Sequence, residues 1–208
     1  MSNSIQNVAV IGSGVMGAGI AAHCANSGCN VLLLDIVREE GDRNSVANSA
    51  VKAMMKSNPE MLTHKRNAKL ITTGNIEDDL SMLSEVDWVI EVVIENLDVK
   101  KDLYRNISKH IGKSTIVSSN TSTIPRRKLV EHMQAEMASR FLITHFFNPP
   151  RYLPLLEVVT EDEVNSSITD KISSFADIML GKRVILCNDT PGFIGNSCLL
   201  YTSDAADE

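Results

Sequence analysis

Short apolar runs recur along the chain and are separated by segments in which apolar and polar positions follow a helical spacing. The segment "NVAVIG" at 7–12 is β-branched and ends in glycine, which is typical of a buried strand. The next segment, "VMGAGIAAHCANSG", spaces its apolar residues as a helix does and stops at Gly28, a natural helix end. Further strands are predicted at 30–35, 87–93, 114–120, 140–147, 155–160 and 183–189, and further helices at 97–111 and 165–181. This alternation predicts an α/β domain whose largely parallel sheet is covered by helices.

Two segments give a weaker signal. Residues 42–70 mix polar and apolar positions with a helical period, and "SNPE" interrupts them. The basic run "RRK" at 126–128 is interpreted as solvated surface, because runs of charge usually face water.

Composition and charge exclude several classes of protein. The chain has 208 residues, of which 43% are hydrophobic and 22% charged, as in an ordinary globular protein. Its net charge of −6 argues against nucleic-acid binding, which requires clustered Lys and Arg. No apolar run is long enough to span a membrane, and "MSNSIQN" lacks the features of a leader, so a cytoplasmic protein is predicted. Four cysteines without paired spacing indicate reduced thiols, and no metal site is predicted.

The glycines of "GSGVMG" follow a predicted strand and open a helix, which is the context of a dinucleotide-binding loop. Gly12 allows a tight turn, Gly14 lets the backbone approach a pyrophosphate, and Gly17 permits close packing of helix on strand. The first helical residues, Val15 and Met16, belong to the same predicted cofactor-binding segment.

Asp35 ends the second predicted strand, where a carboxylate would accept hydrogen bonds from the adenosine ribose. A 2′-phosphate would meet a like charge there, so the sequence favours NAD over NADP, although the nearby Arg38 keeps NADP open. The prediction is a Rossmann-type, doubly wound sheet with helices on both faces and NAD as the cofactor. The alternative is a glycine turn that serves packing alone, with Asp35 as a cap at the end of its strand.

Polar residues follow several predicted strands at their carboxyl ends, where open α/β sheets bind ligands. They are Asp35, Glu95 with Asn96, the segment "SSNTS", and His145 with Asn148. His145 is interpreted as a catalytic base oriented by Glu157, because histidine titrates near neutrality and a carboxylate can fix its tautomer. Ser122 and Asn196 are candidates to hold a substrate oxygen by hydrogen bonds. The alternatives are a core histidine bonded to backbone, a turn serine and an amide at a helix end.

Six ordered motifs resemble the NAD-binding domain of the 3-hydroxyacyl-CoA dehydrogenases, over about residues 5–197. They are "VAVIGSGVMGAGIA", "EVVIENLDVKKDLY", "SSNTSTI", "HFFNPP", "LLEVV" and "DTPGFIGN". The resemblance implies that His145 and Glu157 are the catalytic pair, and that Ser122 and Asn196 contact the substrate. It implies NAD contacts from Asp35, Glu95, Lys100, Ser122 and Asn148. The implied substrate is an (S)-3-hydroxyacyl-CoA, which is oxidised to the 3-oxoacyl-CoA in fatty-acid β-oxidation.

The resemblance also places Ser49 and Lys56 on a helix where the family contacts CoA, although a solvated helix face is the alternative. Residues 1–190 are interpreted as the dinucleotide-binding domain, and 191–197 as the start of a truncated helical domain. In the family that helical domain closes over the acyl chain and forms the dimer interface, so the complete protein is expected to be a homo-oligomer. The segments "STIPRRKL" and "NPPRYLPLLEVV" resemble the large bacterial forms that are fused to an enoyl-CoA hydratase more than the short enzymes of the family.

The last residues, 198–208, read "CLLYTSDAADE" and resemble the translation of a sequencing adapter. We therefore expect them to be foreign to the natural protein, with a natural tail as the alternative. Two other functions compete with the leading one. The first is a non-catalytic NAD-binding module, and the second is a dehydrogenase of a related short hydroxy acid or sugar acid.

Overall fold

Eight strands form one sheet in the part of the chain that the computed structural model describes, residues 5–38, 40–190 and 192–195. They are β1 (Asn7–Ile11), β2 (Asn30–Asp35), β3 (Ile71–Asn75), β4 (Trp88–Glu91), β5 (Ile116–Ser119), β6 (Phe141–Phe146), β7 (Leu155–Val159) and β8 (Arg183–Cys187). Their order across the sheet is β3-β2-β1-β4-β5-β6-β7-β8, and only β6 and β7 pair antiparallel. The strand order reverses between β1 and β4, and at such a point a doubly wound sheet opens a crevice for ligand.

Helices cover both faces of the sheet because successive residues of each buried strand point to opposite sides. They are α1 (Val15–Asn26), α2 (Ser45–Met54), α3 (Leu97–Ile107), α4 (Arg126–Val130), α5 (Ala135–Ala138) and α6 (Ser166–Ile178). Val8 and Val10 of β1 share one apolar cluster with residues of α1 and α6. Ala9 and Ile11 share the other cluster with residues of α3 and α4. The predicted Rossmann-type, doubly wound fold is confirmed.

Some elements differ from the sequence prediction. Within 42–70 the structure has only α2 and a 3-10 helix at Lys65–Leu70, with a loop between them that contains "SNPE". The edge strand β3 has no counterpart among the predicted strands, because its sequence "ITTGN" contains a single large apolar residue. Helices α4 and α5 have only 5 and 4 residues, which is too short for a helical period to show.

The basic run at 126–128 is only partly solvated, so its interpretation as surface is wrong for Arg126. Arg126 is 1% exposed, and its guanidinium donates to the carbonyl oxygens of Phe141 (2.9 Å) and Ala138 (2.8 Å). Arg127 and Lys128 are exposed, as expected. The cause is tertiary, since the carbonyls that satisfy Arg126 are supplied by the chain around β6.

A partly buried histidine on α1 makes the fold sensitive to acid. The Nε2 atom of His23 lies 3.0 Å from the Leu180 carbonyl oxygen, and its buried Nδ1 has no hydrogen-bond partner among the described residues. Burial, assisted by the charges of Lys182 and Arg151, lowers the pKa of His23 from 6.5 to about 4, although the Leu180 carbonyl opposes this shift. The folded state therefore favours the neutral imidazole.

We expect this histidine to stabilise the fold fully above pH 6.5 and to lose that contribution as the pH falls toward 4. The unfolded histidine takes up a proton that the folded one resists, and the pKa difference corresponds to about 3 kcal/mol. Urea unfolding at neutral pH and at the folded pKa would measure the effect. The His23→Gln variant, which cannot titrate, should lose about 3 kcal/mol less than the wild type. His132→Gln, at an exposed position, should behave as wild type. Equal acid sensitivity of wild type and His23→Gln would contradict the assignment.

Candidate active site and cofactor cleft

The glycine loop after β1 packs against the end of β4 more closely than side chains would allow. Gly12 has a φ of 102°, and a Cβ there would lie 2.5 Å from the Val92 carbonyl oxygen. A Cβ at Gly17 would lie 2.9 Å from the carbonyl carbon of Gly12. A Cβ at Gly14, in contrast, would meet nothing within 4 Å. Gly12 and Gly17 therefore shape the loop, whereas Gly14 leaves open space at the N-terminus of α1.

Asp35 ties the glycine loop to the end of β2. Its Oδ2 accepts hydrogen bonds from the backbone N–H of Ser13 (2.5 Å) and from the Ser13 hydroxyl (2.6 Å). Its Oδ1 accepts from the Ile36 N–H at 2.7 Å, as a cap at a strand end does. The carboxylate thus stands beside the loop that would hold a pyrophosphate, where it could also meet ribose hydroxyls.

A cleft of about 860 Å³ opens between the glycine loop, Asp35, α2 and the first turns of α3. Its rim carries exposed apolar side chains, namely Ile36 (60% exposed), Ile94 (68%) and Val99 (40%). Apolar side chains left open around a concave site are typical of a surface that a ligand covers. Together with the open space at Gly14, the cleft fits the adenosine half of a dinucleotide.

The loop that follows β5 is pinned by a single carboxylate. Glu95 Oε1 accepts a hydrogen bond from the Thr121 hydroxyl. The same oxygen accepts from the Thr123 N–H at 3.2 Å and from the Thr123 hydroxyl at 2.8 Å. Burial alone would raise the pKa of Glu95, but the hydrogen bonds from the two threonines and the nearby Lys100 lower it below its ordinary value. Ser122 lies between these threonines, and its hydroxyl makes no hydrogen bond to a described residue. The loop therefore presents Ser122 with its hydroxyl available.

His145 and Glu157 face each other on neighbouring strands. The antiparallel register of β6 and β7 places the two residues directly opposite one another, and His145 Nδ1 lies 2.7 Å from Glu157 Oε2. His145 is 7% exposed and Glu157 is fully buried. The rings of Phe147 and Phe193 pack on the imidazole, with centroids 4.6 and 5.7 Å away. No described residue is hydrogen-bonded to Nε2, so this nitrogen is free to act on a ligand.

The second oxygen of Glu157 holds the segment that follows β8. Glu157 Oε1 accepts from the backbone N–H groups of Ile194 (2.9 Å) and Gly195 (2.7 Å). A Cβ at Gly195 would lie 2.7 Å from the Phe147 ring, so glycine lets the chain approach this closely. Asn196, the predicted substrate contact, is the next residue and lies outside the described residues.

Several residues that support the site were not among those predicted. Asn120 Oδ1 accepts from the Phe146 N–H at 2.9 Å and so joins the loop after β5 to the end of β6. The carboxylate of Asp189 accepts from the N–H groups of Arg126 (2.7 Å) and Arg127 (3.0 Å) and so caps α4. Asn120 follows the buried strand β5 and lies within "SSNTS", although it was not singled out there. Asp189 follows the mostly exposed edge strand β8, where the signal is weaker.

The other predicted contacts are less closely grouped. Val15 is exposed at the start of α1, and Met16 packs on the core. Ser49 lines the cleft, whereas Lys56 is exposed beyond the end of α2 and does not line it.

Asn148 is exposed and lines a separate, smaller pocket with Val15 and Pro149. Lys100 is 1% exposed and forms ion pairs with Glu91 and Glu95, so its predicted NAD contact stays a prediction.

Neither a metal site nor a membrane-spanning helix is found in the described part of the chain. Within it, no three His, Cys, Asp or Glu side chains are grouped so that they could hold an ion. None of the helices described there is long and apolar enough to cross a membrane.

A glycine loop at the switch point of a doubly wound sheet defines a dinucleotide-binding domain. The sequence matches the family "3-hydroxyacyl-CoA dehydrogenase, NAD binding domain" over residues 7–190, and the chain belongs to this family. The cofactor of this domain is NAD.

Relatives with known names agree. A probable 3-hydroxyacyl-CoA dehydrogenase of Deinococcus radiodurans is 46% identical over 198 residues, which cover 95% of this chain and 57% of the relative. A proposed fatty acid oxidation complex trifunctional enzyme of Rickettsia felis is 45% identical over 197 residues, which cover 94% of this chain and 27% of the relative. This chain thus spans less than two thirds of the length of either protein.

Solved structures show the same fold. The 3-hydroxybutyryl-CoA dehydrogenase of Escherichia coli K12 superposes with a TM-score of 0.79 at 31% identity, over 92% of this chain and 40% of that one. The (S)-3-hydroxybutyryl-CoA dehydrogenase of Ralstonia eutropha gives a TM-score of 0.78 at 30% identity, over 98% of this chain and 70% of that one.

Proposed function

We propose that this chain carries the cofactor site and the catalytic base of an enzyme that oxidises (S)-3-hydroxyacyl-CoA to 3-oxoacyl-CoA in fatty-acid β-oxidation. The observation that carries the proposal is the buried pair of His145 and Glu157, joined at 2.7 Å, with the imidazole Nε2 left free. A base is what oxidation of a hydroxyl group requires from the protein.

In this mechanism His145 Nε2 accepts the proton of the substrate hydroxyl. The contact to Glu157 keeps the proton of the neutral imidazole on Nδ1, and it stabilises the imidazolium once Nε2 is protonated. Bound NAD supplies the acceptor for the hydride that leaves the same carbon. Ser122 and Asn196 hold the substrate oxygen by hydrogen bonds, and the free hydroxyl of Ser122 supports this role.

NAD would be held at the switch point of the sheet. The loop of Gly12, Gly14, Val15, Met16 and Gly17 would hold its pyrophosphate, and Asp35 would accept hydrogen bonds from its adenosine ribose. Glu95, Lys100, Ser122 and Asn148 serve the nicotinamide half. Ser49 on α2 and the exposed Lys56 just beyond that helix would contact the CoA moiety.

The natural protein, in our proposal, continues beyond residue 197 into a helical domain that covers the acyl chain and makes a homo-oligomer in the cytoplasm. Residues 198–208 would then be foreign sequence. Reading the gene past codon 197 from an adapter-free template tests this directly. A frame that continues into apolar segments with helical spacing supports the proposal, and a natural stop after "SDAADE" refutes it.

The function is tested with the complete gene product and NAD by following NADH formation. 3-Hydroxybutyryl-CoA is expected to be oxidised, and free 3-hydroxybutyrate is not. Oxidation of the free acid alone would indicate a short hydroxy acid dehydrogenase, and NAD binding with no turnover of either would indicate a non-catalytic module. The 208-residue chain itself is expected to bind NAD and to turn over little.

A further inference from the structure

A fully buried carboxylate lies at the end of β4, beneath the two loops that border the site. Glu91 accepts four hydrogen bonds. Oε1 receives the Val93 N–H (2.8 Å) and the Lys100 ammonium (2.7 Å), and Oε2 receives the hydroxyls of Tyr104 (2.5 Å) and Ser119 (2.6 Å). Burial, together with the charge of Glu91, raises the pKa of the Tyr104 hydroxyl, so it stays protonated and donates. The carboxylate is thus saturated with donors from β5, α3 and the loop between β4 and α3.

The buried lysine connects this carboxylate to the surface of the site. Lys100 is 1% exposed, and its Nζ lies 2.7 Å from Glu91 Oε1 and 3.3 Å from Glu95 Oε2. Glu95 in turn pins Thr121 and Thr123 on either side of Ser122. A continuous chain of contacts therefore runs from Glu91 through Lys100 and Glu95 to the loop that presents Ser122.

Stability alone does not explain this arrangement. Burying an ion pair costs about as much desolvation free energy as its attraction returns, and an apolar pair of the same volume is often as stable. A buried ion pair does fix geometry. Moving either partner away leaves the other charge buried without compensation, which costs free energy. The positions held here belong to the loops after β4 and β5, which lie on the β6 side of the switch point between β1 and β4. The loop after β4 also lines the cleft beside Asp35.

We propose that Glu91 is a positioning residue for the nicotinamide half of the cofactor site. Its negative charge holds the Lys100 ammonium, and through Lys100 and Glu95 it sets the loop of Ser122. The adenosine half depends on it less, because Asp35 and the glycine loop make no hydrogen bond to Glu91 and only the loop after β4 and α3 are shared. This inference rests on the proposed function, which assigns the adenosine half of NAD to Asp35 and the nicotinamide half to Glu95 and Ser122.

The test compares two ligands of the 208-residue chain, NADH and ADP, by calorimetric or fluorescence titration. Glu91→Gln keeps the size of the side chain and removes its charge, so the half-exposed Glu95 is the one carboxylate left to the Lys100 ammonium among the described residues, beside the Val93 carbonyl oxygen at 3.4 Å. The dissociation constant for NADH should rise about tenfold, the effect of one charge-assisted hydrogen bond. The dissociation constant for ADP, which lacks the nicotinamide half, should change much less. Tyr104→Phe removes a neutral donor from the same carboxylate and should leave both constants unchanged.

A double variant separates positioning from general damage. In the Lys100→Met background, Glu91→Gln should cause no further loss of NADH binding, because the cation through which it acts is gone. Should Glu91→Gln fail to fold, Lys100→Met alone must still raise the dissociation constant for NADH more than that for ADP. Unchanged NADH binding, or an equal loss of both ligands, would overturn the proposal. None of these variants changes His145. The test of the proposed function can therefore fail while this inference holds, and the reverse.

Discussion

Replacing His145 by glutamine is expected to lower kcat of the complete enzyme by about 10²–10⁴-fold, the range of a positioned general base. A glutamine amide fills similar space and can still donate to the Glu157 carboxylate that now lies 2.7 Å from the imidazole. It cannot accept a proton from the substrate hydroxyl. Steady-state oxidation of 3-hydroxybutyryl-CoA, followed by NADH absorbance, measures the loss.

The control for this variant is cofactor binding. His145 does not line the cleft beside Asp35, so the dissociation constant for NADH should be unchanged. Glu157→Gln makes a useful comparison, because it removes the charge that stabilises the imidazolium while it disturbs the contacts to Ile194 and Gly195. We expect kcat to fall in this variant as well. Turnover at the wild-type level in His145→Gln would exclude the histidine as the base.

The central strands could be predicted because each is a short apolar run buried on both faces of a parallel sheet. β3 escaped prediction since it lies at the edge and pairs only with β2, so half of its residues need not be apolar. The short α4 is fixed from outside, by the Asp189 carboxylate at its first N–H groups. Such a contact between residues far apart in the chain leaves no local pattern in the sequence.

The candidate site was only partly accessible to the same reasoning. The polar residues after the strands could be identified, because parallel strands bring their carboxyl ends to one edge. The contact between His145 and Glu157 was expected from the sequence, whereas the antiparallel register of β6 and β7 that places them opposite one another is not given by periodicity. Glu91 did leave a signal, since a carboxylate inside the apolar run "WVIEVV" must find donors when the strand is buried. The burial of Arg126 left no signal in the sequence, because the basic residues next to it make the segment look like an exposed run of charge.

Gly14→Ala is expected to abolish most cofactor binding without weakening the fold. A methyl group at this position meets no described atom within 4 Å, so the free energy of unfolding should stay the same or rise slightly. The same methyl would stand at the N-terminus of α1, where the pyrophosphate must approach the backbone. The dissociation constant for NADH, from fluorescence titration, should therefore rise about tenfold or more.

Gly17→Ala is the matched variant in which the fold itself should suffer. Its Cβ would overlap the Gly12 carbonyl oxygen and lie 2.9 Å from that carbonyl carbon, so the free energy of unfolding in urea should fall by about 3 kcal/mol or more. The pair of variants thus separates the two interpretations of the glycine loop. If Gly14→Ala binds NADH as the wild type does, the loop serves packing alone and the cofactor must lie elsewhere. If only Gly17→Ala is destabilised while Gly14→Ala loses NADH, the loop is a phosphate-binding turn held in shape by Gly12 and Gly17.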